Sequence, residues 1–348
     1  MSDAYTQLAD RVGYAHSAHF RRILEFLMTP EQAALVAELP KTPEELSEKL
    51  GMDVEEVKSN IDILFRKGVI FPRNFETLEN PRFARHTMQL HDASQAGLRL
   101  DPIRHGKLFR LWEEFCDAEW DRDRTQEWMK EEAPRMRILP AYKAILNSPE
   151  VLPYEDVREI AKASPLTAVV SCTCRQRKET VGKKCVRSHD AVCIQFGRSA
   201  EYALMRGTGT RLSLYETLEM LDEVEEDGLV HTWVNNDAMV YGVMCNCCDD
   251  CCMILDPMAR FNVPPTKLYA KSRYEARVDQ DLCTGDEVCV DRCQFDAIIM
   301  QEIGGESKAF VDPDKCMGCG VCVLTCTSGA MSFELVRPKE HIPAAPAK

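Results

Sequence analysis

Seventeen cysteines in 348 residues are the feature richest in chemistry, and sixteen of them lie between Cys172 and Cys326. Four are set as Cys316-Met-Gly-Cys319-Gly-Val-Cys322-Val-Leu-Thr-Cys326, a C-x2-C-x2-C-x3-C run. Upstream, Cys283-Thr-Gly-Asp286-Glu-Val-Cys289-Val-Asp-Arg-Cys293 repeats that spacing with an aspartate in the second position. Five more crowd into Cys245-Asn-Cys247-Cys248-Asp-Asp-Cys251-Cys252, and Cys172, Cys174, Cys185 and Cys193 precede them without a standard spacing. Thiols this dense in a reducing compartment are soft metal ligands, whereas a disulfide scaffold would be shorter and carry a signal sequence. Two four-position runs at one period point to iron–sulfur clusters, a pattern that a zinc site does not need.

Those runs need elements to aim them. Extended segments flank them: Ala276-Arg-Val-Asp before the first, Ala297-Ile-Ile-Met between, Ala309-Phe-Val-Asp and Ala330-Met-Ser-Phe-Glu-Leu later. Two copies of strand, cysteine loop, helix and strand over residues 274–337 resemble a two-cluster bacterial-type ferredoxin. The resemblance implies that the fourth cysteine of each run ligates the other run's cluster. Cys316, Cys319, Cys322 and Cys293 would then hold one complete [4Fe–4S] cluster, and Cys283, Cys289, Cys326 and Asp286 the second. A carboxylate is a harder ligand than a thiolate, so the second site is expected to be labile. It would be [4Fe–4S] with Asp286 bound, or [3Fe–4S] on Cys283, Cys289 and Cys326 with Asp286 a solvated loop residue. Gln294 and Thr327 stand where the family usually places proline, which leaves the spacing intact.

In the middle region Cys245, Cys248 and Cys251 read as C-x2-C-x2-C, three corners of a cubane, with Cys247 and Cys252 left over. Together with Cys172, Cys174, Cys185 and Cys193 they fit two [4Fe–4S] clusters with one thiol to spare, or one cubane and a zinc. The spacing leaves open which four share a metal. Buried free thiols are the plain alternative, and Asn246, Asp249 and Asp250 among five cysteines argue against it. Ser213-Leu-Tyr-Glu216 caps a helix ending near Gly228. Leu229–Val234 reads as a strand that pairs with Val240–Met244 and feeds the cysteine loop. Between the two thiol groups Arg175, Arg177, Lys178, Lys183, Lys184 and Arg187 oppose only Glu179 and Asp190, a local +4. This island reads as a field that raises a cluster potential, a dock for an acidic carrier or anionic ligand, or a solvated loop. His189 and His231 are not assigned as ligands. Gly207-Thr-Gly-Thr210 lacks the spacing and the lysine of a phosphate loop.

The remaining chain is helical and poor in cysteine. Thr29-Pro-Glu-Gln32 and Thr42-Pro-Glu-Glu45 start two helices, and Asp53-Val-Glu-Glu56 opens a third with an apolar stripe of Val54, Val57, Ile61, Ile63 and Leu64. Val69-Ile-Phe-Pro72 follows as a short strand. Helix, turn, helix and extended segment over residues 20–75 resemble a winged-helix domain. DNA reading fits it poorly: residues 1–80 hold 14 acidic and 9 basic residues, and the third helix nets −1 from Asp53 to Lys67. Phe109, Leu111, Trp112, Phe115, Trp120 and Trp128 mark further helices, with Cys116 a packed thiol among them.

The expected architecture is a multi-domain α+β chain. It comprises a winged-helix-like domain over 1–80, a helical connecting region over 81–165, a Cys-rich metal or cluster domain over 166–273, the ferredoxin domain over 274–337 and a flexible tail over 338–348. Net charge −13 argues against broad phosphate-backbone binding, and no apolar run reaches the roughly 18–20 residues of a membrane span. The function expected is a cytoplasmic electron-transfer protein or subunit with two to four clusters. It would relay single electrons to or from a flavoprotein or another oxidoreductase subunit, and work as an oligomer or within a complex. The alternatives are an enzyme with an open-site cluster in the middle domain, or a redox-responsive winged-helix regulator.

Overall fold

The structure is a computed structural model that describes residues 3–97, 101, 103–187 and 192–346; His189 and Asp190 of the sequence reading lie outside them. The chain forms two compact units. The first comprises Met1–Trp120, Val170–Lys184 and Glu201–Thr210, the second Asp121–Val169, Cys185–Ala200 and Arg211–Lys348.

The first unit is helical, and its early helices start where local chemistry dictates. Helices Pro30–Ala37 and Pro43–Leu50 each open on a capping box, Thr29 with Gln32 and Thr42 with Glu45, with proline in the first turn. The second of these ends on Gly51 at φ 66°, the left-handed stop that glycine adopts without strain. Helix Val54–Arg66 is capped by Asp53 and buries Val57, Ile61, Leu64 and Phe65. Ile63 is left on the outer face. The expected strand at 69–72 is reduced to a single bridge, Ile70 to Phe83. Tyr14, Phe20, Trp112 and Phe115 stack into one aromatic core, with ring centroids 4.8–6.0 Å apart. Helix Gly106–Phe115 runs into a π-helical turn, Cys116–Trp120, where Cys116 is fully buried.

The second unit is built on a seven-stranded sheet. Its strands are β1 (Met136–Leu139), β2 (Thr167–Val170), β3 (Cys193–Phe196), β4 (Thr210–Leu212), β5 (Val230–Val234), β6 (Val243–Cys247) and β7 (Tyr269–Ala270), in the spatial order β4-β2-β3-β6-β5-β1-β7. The β1–β5, β5–β6 and β3–β6 pairs are antiparallel, and β1–β7 is parallel. Leu139, Ile160, Ile194, Phe196, Leu221, Trp233 and Met244 pack the core on it. Helix Leu214–Glu226, opened by the Ser213–Glu216 capping box, contributes Leu221. Beyond the sheet, β8 (Tyr274–Val278) pairs with β11 (Met331–Leu335), and β9 (Ile298–Ile303) with β10 (Glu306–Val311).

Residues expected to hang free at the C-terminus are tied down. Ile342 is buried, His341 Nε2 lies 2.9 Å from the Lys271 carbonyl, and Ala345 N–H donates to Asp237 Oδ1 at 2.7 Å. One apolar side chain and a few hydrogen bonds are enough to dock a proline-rich segment, whose backbone has little entropy to lose.

Candidate metal centres

The two ribbons β8–β11 and β9–β10 carry the two cysteine runs between their strands, and the runs are built alike. Gly285 and Gly318 hold the same place, two residues after the first cysteine of each run. They share φ values of 69° and 70°. A Cβ on Gly285 would sit 2.3 Å from the Ser307 carbonyl oxygen, and one on Gly318 at the same distance from that of Tyr274. Each loop thus turns tightly against a strand of the module, which is how thiols so close in sequence come to face one cavity.

Cys293, Cys316, Cys319 and Cys322 line a single cavity, with Ala276, Ala297, Ile298, Val311 and Val321 supplying apolar walls. Burial pushes the Cys319 thiol up to about 12, with Cys293 and Cys316 adding to it. Burial likewise raises Cys293 and Cys322. The other thiols form a second neighbourhood. Cys289 is pushed up to about 11 by burial first, then by Asp286, Cys283 and Cys326. Backbone N–H groups already point at sulfur: Ala297 to Cys293 at 3.3 Å, Ala309 to Cys283 at 3.4 Å, Met331 to Cys326 at 3.3 Å. At Cys326 the burial that raises the thiol is outweighed by hydrogen bonds, chiefly from Ser328, so its pKa is lowered.

Four thiols around an apolar cavity fit a [4Fe–4S] group, and N–H donors to sulfur are what tune such a group's potential. Once bound there it supplies one-electron transfer with little rearrangement. At the second neighbourhood Cys283 and Cys326 both act on Cys289, and Asp286 is exposed. Its Oδ1 accepts from Val288 N–H at 3.3 Å, at the start of helix Val288–Arg292.

The middle thiols divide differently from their spacing. β6 begins three residues later than the expected strand, so Cys245 and Cys247 lie on the strand itself and share one face. Cys247 hydrogen-bonds Cys245 and Cys252, contacts that with burial raise its pKa well above the thiol norm. Cys248 goes elsewhere: its Sγ lies 2.8 Å from that of Cys251 and 3.6 Å from that of Cys185. Cys248 stands just past the end of β6, beside Cys251 and Cys185, while Cys245 and Cys247 are on the strand itself. Asp250 joins the second group, its Oδ1 3.5 Å from Cys185 Sγ. In sequence Asp250 merely interrupts the cysteines; its place beside Cys251 on the turn after β6 is the signal that marks it. Cys193 accepts a hydrogen bond from Gln195 Nε2 at 3.1 Å.

A buried polar chain braces β6. His231 Nδ1–H donates to Asn246 Oδ1 at 2.7 Å, His231 Nε2 lies 3.2 Å from Glu225 Oε1, and Asn246 Nδ2 donates to the Val192 carbonyl at 2.7 Å. Both ring nitrogens of His231 are thus engaged in the core.

In the first unit, Cys172 and Cys174 sit at the start of helix Thr173–Glu179, and Cys174 with burial pushes the Cys172 thiol well up. The basic stretch does not read as one surface. Arg175, Arg177 and Lys178 are buried on that helix. Glu113 pairs with Arg177 and stands 3.2 Å from Lys178 Nζ. Lys183 and Lys184 are exposed. The three buried cations are part of the interior, not a dock for an acidic carrier.

The 4Fe-4S binding domain family matches residues 276–299 and 309–332, the two cysteine runs with their flanking strands. No curated protein matches the chain. Among the described residues no helix is long and apolar enough to cross a membrane. The chain carries a C-terminal ferredoxin-like module that binds 4Fe-4S clusters, with a general role in iron–sulfur electron transfer.

Proposed function

We propose that this protein is a multi-cluster iron–sulfur relay that passes single electrons to or from a partner oxidoreductase, a flavoprotein or another redox subunit. The observation that carries the reading is the cavity lined by Cys293, Cys316, Cys319 and Cys322 inside the segment matched by the cluster-binding family. Cys283, Cys289 and Cys326, with Asp286 or without it, hold the second centre as [4Fe–4S] or [3Fe–4S]. The middle thiols bind further metal. Residues 274–337 carry 12 acidic and 5 basic side chains, so the partner's docking face is basic and association is faster at low salt.

The winged-helix-like segment acts as a docking platform within an oligomer or complex. Its third helix offers few cations to DNA: Lys58 pairs with Glu55 at 2.8 Å, Arg66 with Asp62 at 2.9 Å, and Lys67 donates to the Leu27 carbonyl at 2.8 Å. The test is redox titration of anaerobically purified protein followed by electron paramagnetic resonance. One-electron signals from two or more centres are expected, with about 7–8 iron in the module. A protein with fewer than four iron, or one that takes up no electrons reversibly, overturns the relay.

A further inference from the structure

The turn after β6 brings together donors that suit one ion better than a cluster. Sγ of Cys185, Cys248 and Cys251 and a carboxylate oxygen of Asp250 all lie within 4.8 Å of one another. Among the described residues this is the one group of three or more His, Cys, Asp or Glu donors drawn so close. A tetrahedral zinc with Zn–S near 2.3 Å and Zn–O near 2.1 Å sets S···S at about 3.8 Å and S···O at about 3.6 Å. Cys185 to Cys248 is 3.6 Å and Cys185 to Asp250 Oδ1 is 3.5 Å. The 2.8 Å between Cys248 and Cys251 would open by about 1 Å around such an ion. A cubane asks for something else. Each thiolate takes its own iron at its own corner, so the sulfurs stand apart, and the ferredoxin thiols in the same unit show no such convergence among the described residues.

We propose that Cys185, Cys248, Cys251 and Asp250 form a mononuclear zinc site. Zinc takes four ligands in a closed tetrahedron when its role is structural, and accepts thiolate and carboxylate together. The backbone prepares the donors. Arg187 N–H donates to Cys185 Sγ at 3.4 Å, and Val186 N–H holds Asp250 Oδ2 at 3.1 Å, which leaves Oδ1 turned to the thiols. The ion clips residue 185 to the turn 248–251, segments more than 60 residues apart in the chain, and its binding free energy adds to that of folding. This inference rests on the reading that the middle thiols bind metal, and the test separates the two.

The experiment is zinc and iron analysis, with zinc-edge X-ray absorption, on full-length protein purified anaerobically without added zinc. One zinc per chain is expected, with three sulfurs near 2.3 Å and one oxygen at about 2.0–2.2 Å. Asp250→Cys should keep the zinc and change the shell to four sulfurs. Cys251→Ser should lose it while the iron content is unchanged. Absence of zinc overturns the zinc assignment, and if Cys251→Ser then loses iron in its place, metal binding in the middle region still stands. If neither metal is bound there and both variants match the parent, the broader reading fails as well. Should Cys251→Ser not fold, the absorption shell of the parent and of Asp250→Cys decides the matter.

Discussion

The ferredoxin module and the β6 turn use the same side chain to make different spaces. In the module the thiols come from two like-built loops, and four of them line one apolar cavity. At the β6 turn two thiols three residues apart are in contact, and a carboxylate and Cys185 close the group. Thiol count is similar, yet one arrangement rings an apolar cavity with four sulfurs and the other draws its donors toward a single point. Metal choice is therefore set less by donor type than by how far the backbone holds the donors apart.

The largest expected effect tests the module's side of that contrast. Cys293 and Cys319 lie 26 residues apart in sequence but line one cavity. Cys293→Ser and Cys319→Ser should each strip the same cluster, about four iron, and the double variant should lose no more than either alone. Cys289→Ser should remove a different set. Iron and acid-labile sulfide per chain measure this. Additive losses from Cys293→Ser and Cys319→Ser would mean that the fourth cysteine of the run does not cross over.

Next in size is a backbone effect specific to the module. Gly318→Ala puts a β-carbon on a φ of 70° and 2.3 Å from a carbonyl oxygen, and Gly285→Ala meets the same conditions. The left-handed backbone alone costs about 1–3 kcal/mol, and relieving the contact moves the loop off its strand. Both variants should melt earlier and load less iron, by similar amounts, while zinc at the β6 turn is retained. A tolerated alanine at either position would break the likeness between the two loops.

What the sequence made legible follows the range of the forces involved. Capping boxes at Thr29, Thr42 and Ser213 depend on four neighbouring residues, and they form as read. The cysteine runs carry their own spacing, and the extended segments expected beside them form strands 274–278 and 331–335, whose pairing the structure supplies. The grouping at 245–252 depends on where β6 begins, and a shift of a few residues re-sorts every thiol by face. The register was fixed by distant partners, Val230 to Cys247 and Ile194 to Met244. Arg175, Arg177 and Lys178 looked like a surface island because Glu113, which neutralises part of their charge, lies 64 residues upstream of Arg177. A pairing so remote leaves no trace in local composition.

A smaller effect, opposite in sign, is expected from Asp286→Cys. Asp286 is exposed and accepts from Val288 N–H, so a thiol there costs little beyond that hydrogen bond, about 0.5–1.5 kcal/mol. In exchange it supplies the softer ligand that the other run has at Cys319. Cluster lifetime in air, followed by visible absorbance, should lengthen at this site, and any [3Fe–4S] signal should give way to [4Fe–4S]. An unchanged spectrum would put residue 286 outside the coordination sphere and leave three thiols as the whole ligand set.

A further effect lies in the metal-free protein, where the module's thiols should make stability fall as the solution turns alkaline. Burial pushes Cys289 up to about 11 and Cys319 up to about 12 in the fold, against 9.0 for an ordinary thiol. Well below pH 9 both are protonated in either state and add no slope. Between pH 9 and 11 the unfolded chain has released these protons and the native chain has kept them, so the unfolded state binds fewer protons and stability declines. The urea midpoint of protein stripped of metal should accordingly drop from pH 8.5 to pH 10.5, and loaded protein should not share this decline, because its thiolates are already bound to metal. Cys319→Ala, with no thiol to ionise, should flatten part of the slope at the cost of a small cavity. Replacing Cys326, whose thiol is lowered by its hydrogen bonds, should leave the alkaline slope as it is. A midpoint independent of pH over that range would mean that these thiols are not buried together until metal arrives, and that the cavity is shaped by its cluster.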